Sequence, residues 1–172
     1  MKKIYVILSF CLMLVSSFCF AQTTTRTEIL GTFGNWTSYR IKEKDGNLCY
    51  MASVPQKSQG KYKKRGDIYL IVAHRPNNNS FDLVSMTAGY TYKKGSSVSV
   101  KVDSKPQINM FTDDGTAWAE TTELDKKIVS QFKAGNKAVI KGTSSLGTLT
   151  TDTFSLSGFT KAYNAINKAC GR

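Results

Sequence analysis

Apolar and polar positions alternate along most of the chain in short runs, and the spacing becomes helical only twice. Val98-Ser99-Val100-Lys101-Val102-Asp103 alternates strictly, which predicts a strand with one buried face and one solvated face. Residues 36–41 and 48–53 flank the turn residues Lys44-Asp45-Gly46-Asn47 and predict a hairpin. The run from Asp67 to Arg75 is the most apolar and predicts a buried strand; a Pro76–Ser80 turn then leads into a second strand over 81–88. Residues 107–111 and 116–119 flank Asp113-Asp114-Gly115, a further hairpin signal. Residues 138–143 and 148–156, rich in Thr and β-branched side chains, return to strand chemistry.

Helical spacing first occurs over 124–133, where Leu124, Ile128, Val129 and Phe132 share a face and Gly135 stands just beyond as a stop. It returns at the end of the chain, with Phe159, Tyr163, Ile166 and Cys170 on one face and Ser157 or Thr160 as the expected cap. Many short strands with two helices predict an all-β fold: a mainly antiparallel β-sandwich or barrel with a short internal helix and a C-terminal α-helix. Residues 22–32 open on a polar stretch without periodicity and are expected to form a flexible N-terminus. Residues 54–66, rich in Lys, Gln, Ser and Gly, read as an exposed loop. A single domain over 33–172 follows, since this length supports one core.

The first 21 residues have the three-part form of a secretory leader. Lys2 and Lys3 precede an apolar run from Ile4 to Val15, and Cys19-Phe20-Ala21 offers small residues at the cleavage positions. That run is short for a bilayer span, and no later run approaches spanning length. The expectation is export, to the periplasm or the outer envelope, without a transmembrane segment in the mature chain. Lys2 and Lys3 leave with the leader, which takes the formal net charge from +12 to +10.

Cleavage also removes Cys11 and Cys19, leaving Cys49 and Cys170. An even pair in an oxidising compartment predicts a disulfide from an early strand to the C-terminal segment; two separate thiols, one in the core, are the alternative. One His and two remaining Cys argue against zinc-finger, iron–sulfur and His-rich metal sites, so no metal and no cofactor are expected.

The excess positive charge is densest at Lys57, Lys61, Lys63, Lys64 and Arg65, which surround Tyr62 in a segment without acids. These five are the candidate contact for an anionic partner: a lipid headgroup, lipopolysaccharide, an acidic glycan or an acidic protein surface. A loop that is merely solvated is the alternative. Export argues against nucleic acid. Arg65-Gly66-Asp67 spells an integrin-type tripeptide, but Asp67 is expected to start a buried strand. His74 ends the most apolar strand and reads as structural.

Asp113, Asp114, Glu120, Glu123 and Asp125 form the one acidic stretch. Paired carboxylates there are the candidate machinery of a glycan-acting enzyme. Turn chemistry at Asp113-Asp114-Gly115 and a helix start near Glu123 explain them as structure. Trp36, Trp118, Tyr50, Tyr90 and Tyr92 are expected in the core or in cross-strand pairs rather than along a ligand groove.

Three segments carry a family resemblance: Phe33-Gly34-Asn35-Trp36, Leu48-Cys49-Tyr50-Met51-Ala52-Ser53, and the stretch 152–162 that includes Ser155-Leu156-Ser157-Gly158-Phe159, followed by Cys170. In order and spacing they resemble the invasion-associated locus B family of secreted bacterial proteins. Many members carry a further Cys a few residues after the early Trp, where this chain has Tyr39-Arg40, so one disulfide is the maximum here. The resemblance implies an exported, envelope-associated protein, of a family named for a factor linked to host-cell invasion. The expected role is non-enzymatic binding or accessory function, with an envelope-glycan enzyme or a surface adhesin as alternatives.

Overall fold

The computed structural model describes residues 26–172, so the leader expected at 1–21 lies outside the described residues. Its strands are β1 (Thr27–Phe33), β2 (Trp36–Glu43), β3 (Gly46–Ser53), β4 (Lys57–Gly60), β5 (Tyr69–Arg75) and β6 (Ser80–Thr87). They continue with β7 (Ser97–Val102), β8 (Ile108–Asp113), β9 (Thr116–Trp118), β10 (Lys137–Thr143) and β11 (Leu149–Ser155). Helix α1 (Thr122–Lys133) separates β9 from β10, and α2 (Phe159–Ala169) follows β11. All strands join one sheet in the order β1-β2-β3-β5-β6-β9-β8-β7-β10-β11-β4, and its pairings are antiparallel.

The sheet curls back on itself. β4 follows β3 in the chain yet pairs with β11 at the far end of the order. Four residues from Ser53 to Lys57 reach at most about 14 Å, so the β11 edge must return beside β3. Two bonds cross that seam: the Gln56 N–H donates to the Thr153 carbonyl at 2.8 Å, and Trp36 Nε1 donates to the Ser155 carbonyl at 3.0 Å. The result is barrel-like.

Period-two alternation decides which side chains enter the core. On β7 it buries Val98, Val100 and Val102; on β5 it buries Leu70, Val72 and His74. On β11 the buried set is Thr150, Asp152 and Phe154. Helix α2 packs across β1, β2, β3 and β5, and α1 packs on β6. Phe132 of α1 and Phe159 of α2 are fully buried and meet edge to face at 5.4 Å. Cys49 on β3 and Cys170 after α2 are joined in a disulfide with 6.0 Å between their Cα atoms, which fixes the last helix to the sheet.

Three expectations are corrected. Residues 27–32, read as flexible, belong to β1; it is an edge strand, mostly exposed, held by backbone pairing to β2, so no hydrophobic pattern marks it. Residues 57–60, read as loop, form β4, a second edge strand of polar residues. The cap of α2 is neither Ser157 nor Thr160 but Gly158, at φ +88°. A Cβ there would lie 1.8 Å from the Phe33 carbonyl oxygen, so glycine alone fits both the backbone angle and the close approach. For α1 the cap is Thr121, whose side chain accepts from the Leu124 N–H.

Candidate functional site

Four elements converge where β10 turns into β11. Thr143 pairs with Leu149, and residues 144–148 form the turn between them. The Ser144 N–H donates to the Thr148 carbonyl at 2.9 Å, and the Thr148 N–H returns to Ser144 Oγ at 3.1 Å. On one flank β4 pairs with β11, Gly60 opposite Thr150, so the basic segment 61–64 leaves the sheet beside Leu149. On the other flank Ser145 N–H donates to the Thr91 carbonyl and Lys93 N–H to the Thr143 carbonyl, which sets Lys93 and Lys94 against the same turn.

Between these walls lies a groove of about 470 Å³. Residues 61–64 line one side, Ser144, Ser145, Leu146 and Thr148 the other, with Tyr90 and Thr150 between them. The Tyr90 hydroxyl and Thr150 Oγ1 are 2.6 Å apart, and burial raises the Tyr90 phenol above its ordinary pKa. Leu146 at the tip is 92% exposed and Leu149 is 61% exposed. Leu146 is the most exposed of the chain's large apolar side chains among the described residues.

Of the five cations expected to act together, the structure groups three. Lys61, Lys63 and Lys64 are exposed along the groove. Lys57 is on β4, four residues back from Lys61. Arg65 turns inward: its guanidinium makes two bonds to the Asp152 carboxylate, at 2.8 and 2.5 Å, and Nε donates to the Ala88 carbonyl. Both side chains are nearly inaccessible, and the Arg65 guanidinium lies 5.4 Å from the Tyr62 ring centroid and 4.9 Å from that of Tyr90. It roots the basic loop on β11 and offers no charge to a partner.

That burial also separates the charges of Arg65-Gly66-Asp67. Asp67 is exposed, not buried in a strand as its sequence context suggested, because β5 begins only at Tyr69. An adhesive tripeptide must present both charges, and here the arginine is committed.

The acidic stretch does not assemble. Asp113 and Asp114 are exposed at the β8–β9 turn. Asp125 is buried on α1, where Oδ1 accepts the Val84 N–H at 2.8 Å, and burial pushes its carboxyl up to about 6. Among the described residues no three His, Cys, Asp or Glu side chains gather as a metal site.

His74 is fully buried. Its Nδ1 accepts the Asp82 N–H at 3.1 Å, which places the ring proton on Nε2, 2.9 Å from Asn167 Oδ1. Burial lowers its pKa and keeps the ring neutral. The buried Asp82 carboxylate accepts from the Tyr163 hydroxyl at 2.5 Å and from Arg172 at 2.7 Å. This network ties α2 and the chain end to β5 and β6.

Of the aromatics, Trp36 packs edge to face on Phe159, Tyr50 stacks on Tyr39 across the β2–β3 pair, and Tyr92 is buried. Trp118 is 38% exposed opposite Phe111 on β8, so it is a cross-strand partner at the surface. Tyr90 is the one member of that set along the groove.

The residues that carry the family resemblance cluster elsewhere. Phe33-Gly34-Asn35-Trp36 and the stretch 155–159 meet as a clasp: the Asn35 N–H donates to the Ser157 carbonyl at 3.1 Å, and Ser38 Oγ donates to the Ala162 carbonyl. Sequence reasoning missed Asp152, Leu146, Leu149, Lys93 and Lys94. An acid in phase with Thr150 and Phe154 on a buried face signals a buried cation, and a leucine inside a Ser-Gly-Thr turn signals an exposed apolar tip.

Fold and site together define a disulfide-closed antiparallel β-protein whose lysines edge an apolar-tipped groove. The chain belongs to the invasion associated locus B (IalB) protein family, whose family model matches residues 36–167. No curated protein and no solved structure matches it.

Proposed function

We propose that this protein is an exported, envelope-associated binding or accessory protein without catalytic activity, engaging an anionic envelope component through the lysines of the 61–64 segment. Family membership is consistent with export, and the low polarity of residues 4–15 between Lys2-Lys3 and Ala21 supports it. The observation that carries the reading is the groove itself, where Lys61, Lys63 and Lys64 line one wall, while the buried Asp152 is already neutralised by Arg65. Among the described residues the four ion pairs all use arginine, so the lysines are the uncompensated charge. Asp113 and Asp114 are exposed at a turn, whereas Asp125 is buried on α1 and bonded to the Val84 N–H, an arrangement that favours binding over acid–base chemistry on a glycan.

Fractionation of producing cells tests this. Material retained on envelopes at low salt and released at high salt is expected, with retention lost in the charge-reversed K61E/K63E/K64E variant. Unchanged retention in that variant would overturn the reading. Cleavage by protease added to intact cells would instead place the protein outside the outer membrane, where an adhesive role in invasion operates.

A further inference from the structure

We propose that the β10–β11 turn is a membrane-docking tip. Leu146 and Leu149 enter the interfacial layer of a lipid bilayer while Lys61, Lys63, Lys64, Lys93 and Lys94 contact its anionic headgroups. The inference rests on the reading that the basic loop faces an anionic envelope surface, and it names that surface as lipid.

The leucines are presented, not loosely exposed. The turn is pinned by bonds from Ser144 to Thr148 and from Ser145 to Thr91, so ordering it on a surface costs little further entropy. Lysines bracket it on both flanks, with 61–64 leaving β4 on one and Lys93-Lys94 on the other; all five are exposed. Of the nearest acids, Asp152 is held by Arg65, and the exposed Asp113-Asp114 turn, bonded to Tyr92 N–H through the Asp114 carbonyl at 2.7 Å, lies beside Lys93 without pairing to it. None of the five lysines is in an ion pair.

A soluble acidic sugar or peptide in the groove would use the lysines and touch Leu146, but would leave Leu149, which is not part of the groove wall, in water. A protein partner needs roughly 800 Å² of buried surface on each side, far more than two leucines supply. A bilayer interface uses both features at once: apolar side chains bury among headgroups and acyl carbons while flanking lysines meet phosphate. Among the described residues no helix is long and apolar enough to cross a membrane, so attachment through this tip is peripheral.

Sedimentation with vesicles of phosphatidylethanolamine and phosphatidylglycerol, against phosphatidylcholine alone, tests the inference. The wild-type protein is expected to bind the anionic vesicles, and the K61E/K63E/K64E variant to bind more than a hundredfold more weakly, at about fivefold per lysine even before charge reversal. Leu146→Ser with Leu149→Ser is expected to weaken binding about tenfold with an unchanged melting temperature, since both side chains are exposed. A Leu146→Trp variant is expected to gain fluorescence quenching by brominated acyl chains beyond that of the wild type. Failure of the wild type to bind, or serine variants that bind equally with no added quenching in Leu146→Trp, would overturn the docking tip. Were the lysine variant still released from envelopes in that case, the anionic-surface reading would stand and its ligand would be a soluble or headgroup anion.

Discussion

The clasp and the groove tip lie at opposite ends of β11 and solve opposite problems. At the clasp, Gly34, Trp36, Ser157, Gly158 and Phe159 are fitted so closely that a single added Cβ at Gly158 would overlap the Phe33 carbonyl. At the tip, a Cβ on Gly147 would meet nothing within 4 Å, and Leu146 stands in solvent. The clasp carries much of the family resemblance, yet its side chains are occupied with one another; the tip carries little of it and leaves its charge and apolar surface unspent. Recognition of the family therefore reports how the barrel is closed, and says little about what the protein touches.

Perturbing the closure should cost most. Replacing Cys49 and Cys170 by Ala removes a cross-link spanning 121 residues, for which the loop-entropy model gives about 4–5 kcal/mol. Denaturant unfolding should show that loss, and Gly158→Ala should lose more than about 3 kcal/mol. Neither change alters the tip, so vesicle binding by the folded fraction should persist.

Arg65 joins the two regions, because it anchors the basic loop to β11. Arg65→Met leaves the buried Asp152 carboxylate without its partner and should cost about 3–5 kcal/mol. Adding Asp152→Leu should recover most of it, a restoration that a surface role for Arg65 would not produce. Chemical denaturation of the single and double variants measures the coupling.

A smaller effect, of opposite sign, is expected at Asp125. Its folded pKa of about 6 lies above the ordinary carboxylate value, so the folded state holds its proton more tightly than the unfolded chain. Stability from this group is present at low pH and falls as pH rises from about 4 to about 6. Asp125→Asn should therefore stabilise the protein by about 3 kcal/mol at pH 8 and by well under about 1 kcal/mol at pH 4. Melting temperatures of the two proteins across that range check it. Smallest of all, K61E/K63E/K64E should change stability by less than about 0.5 kcal/mol, while retention on envelopes is expected to be lost.

Most strands and both helices were legible because burial follows their periodicity, as at Val98, Val100 and Val102 or at Phe159, Tyr163 and Ile166. β1 and β4 were not, since edge strands held by backbone bonds need no hydrophobic pattern. The candidate site was half legible. Charge density marked Lys61, Lys63 and Lys64. It also suggested Arg65, which only the long-range return of β11 shows to be buried against Asp152. Lys93, Lys94, Leu146 and Leu149 reach the same spot through pairings far apart in sequence, and no local spacing records that meeting.

Hydrogen exchange with and without phosphatidylglycerol vesicles tests most directly where the protein makes contact. Slowed exchange is predicted at 61–64, 93–95 and 144–149, with no change at 33–36 or 155–162. Protection at the clasp with none at the tip would contradict the account.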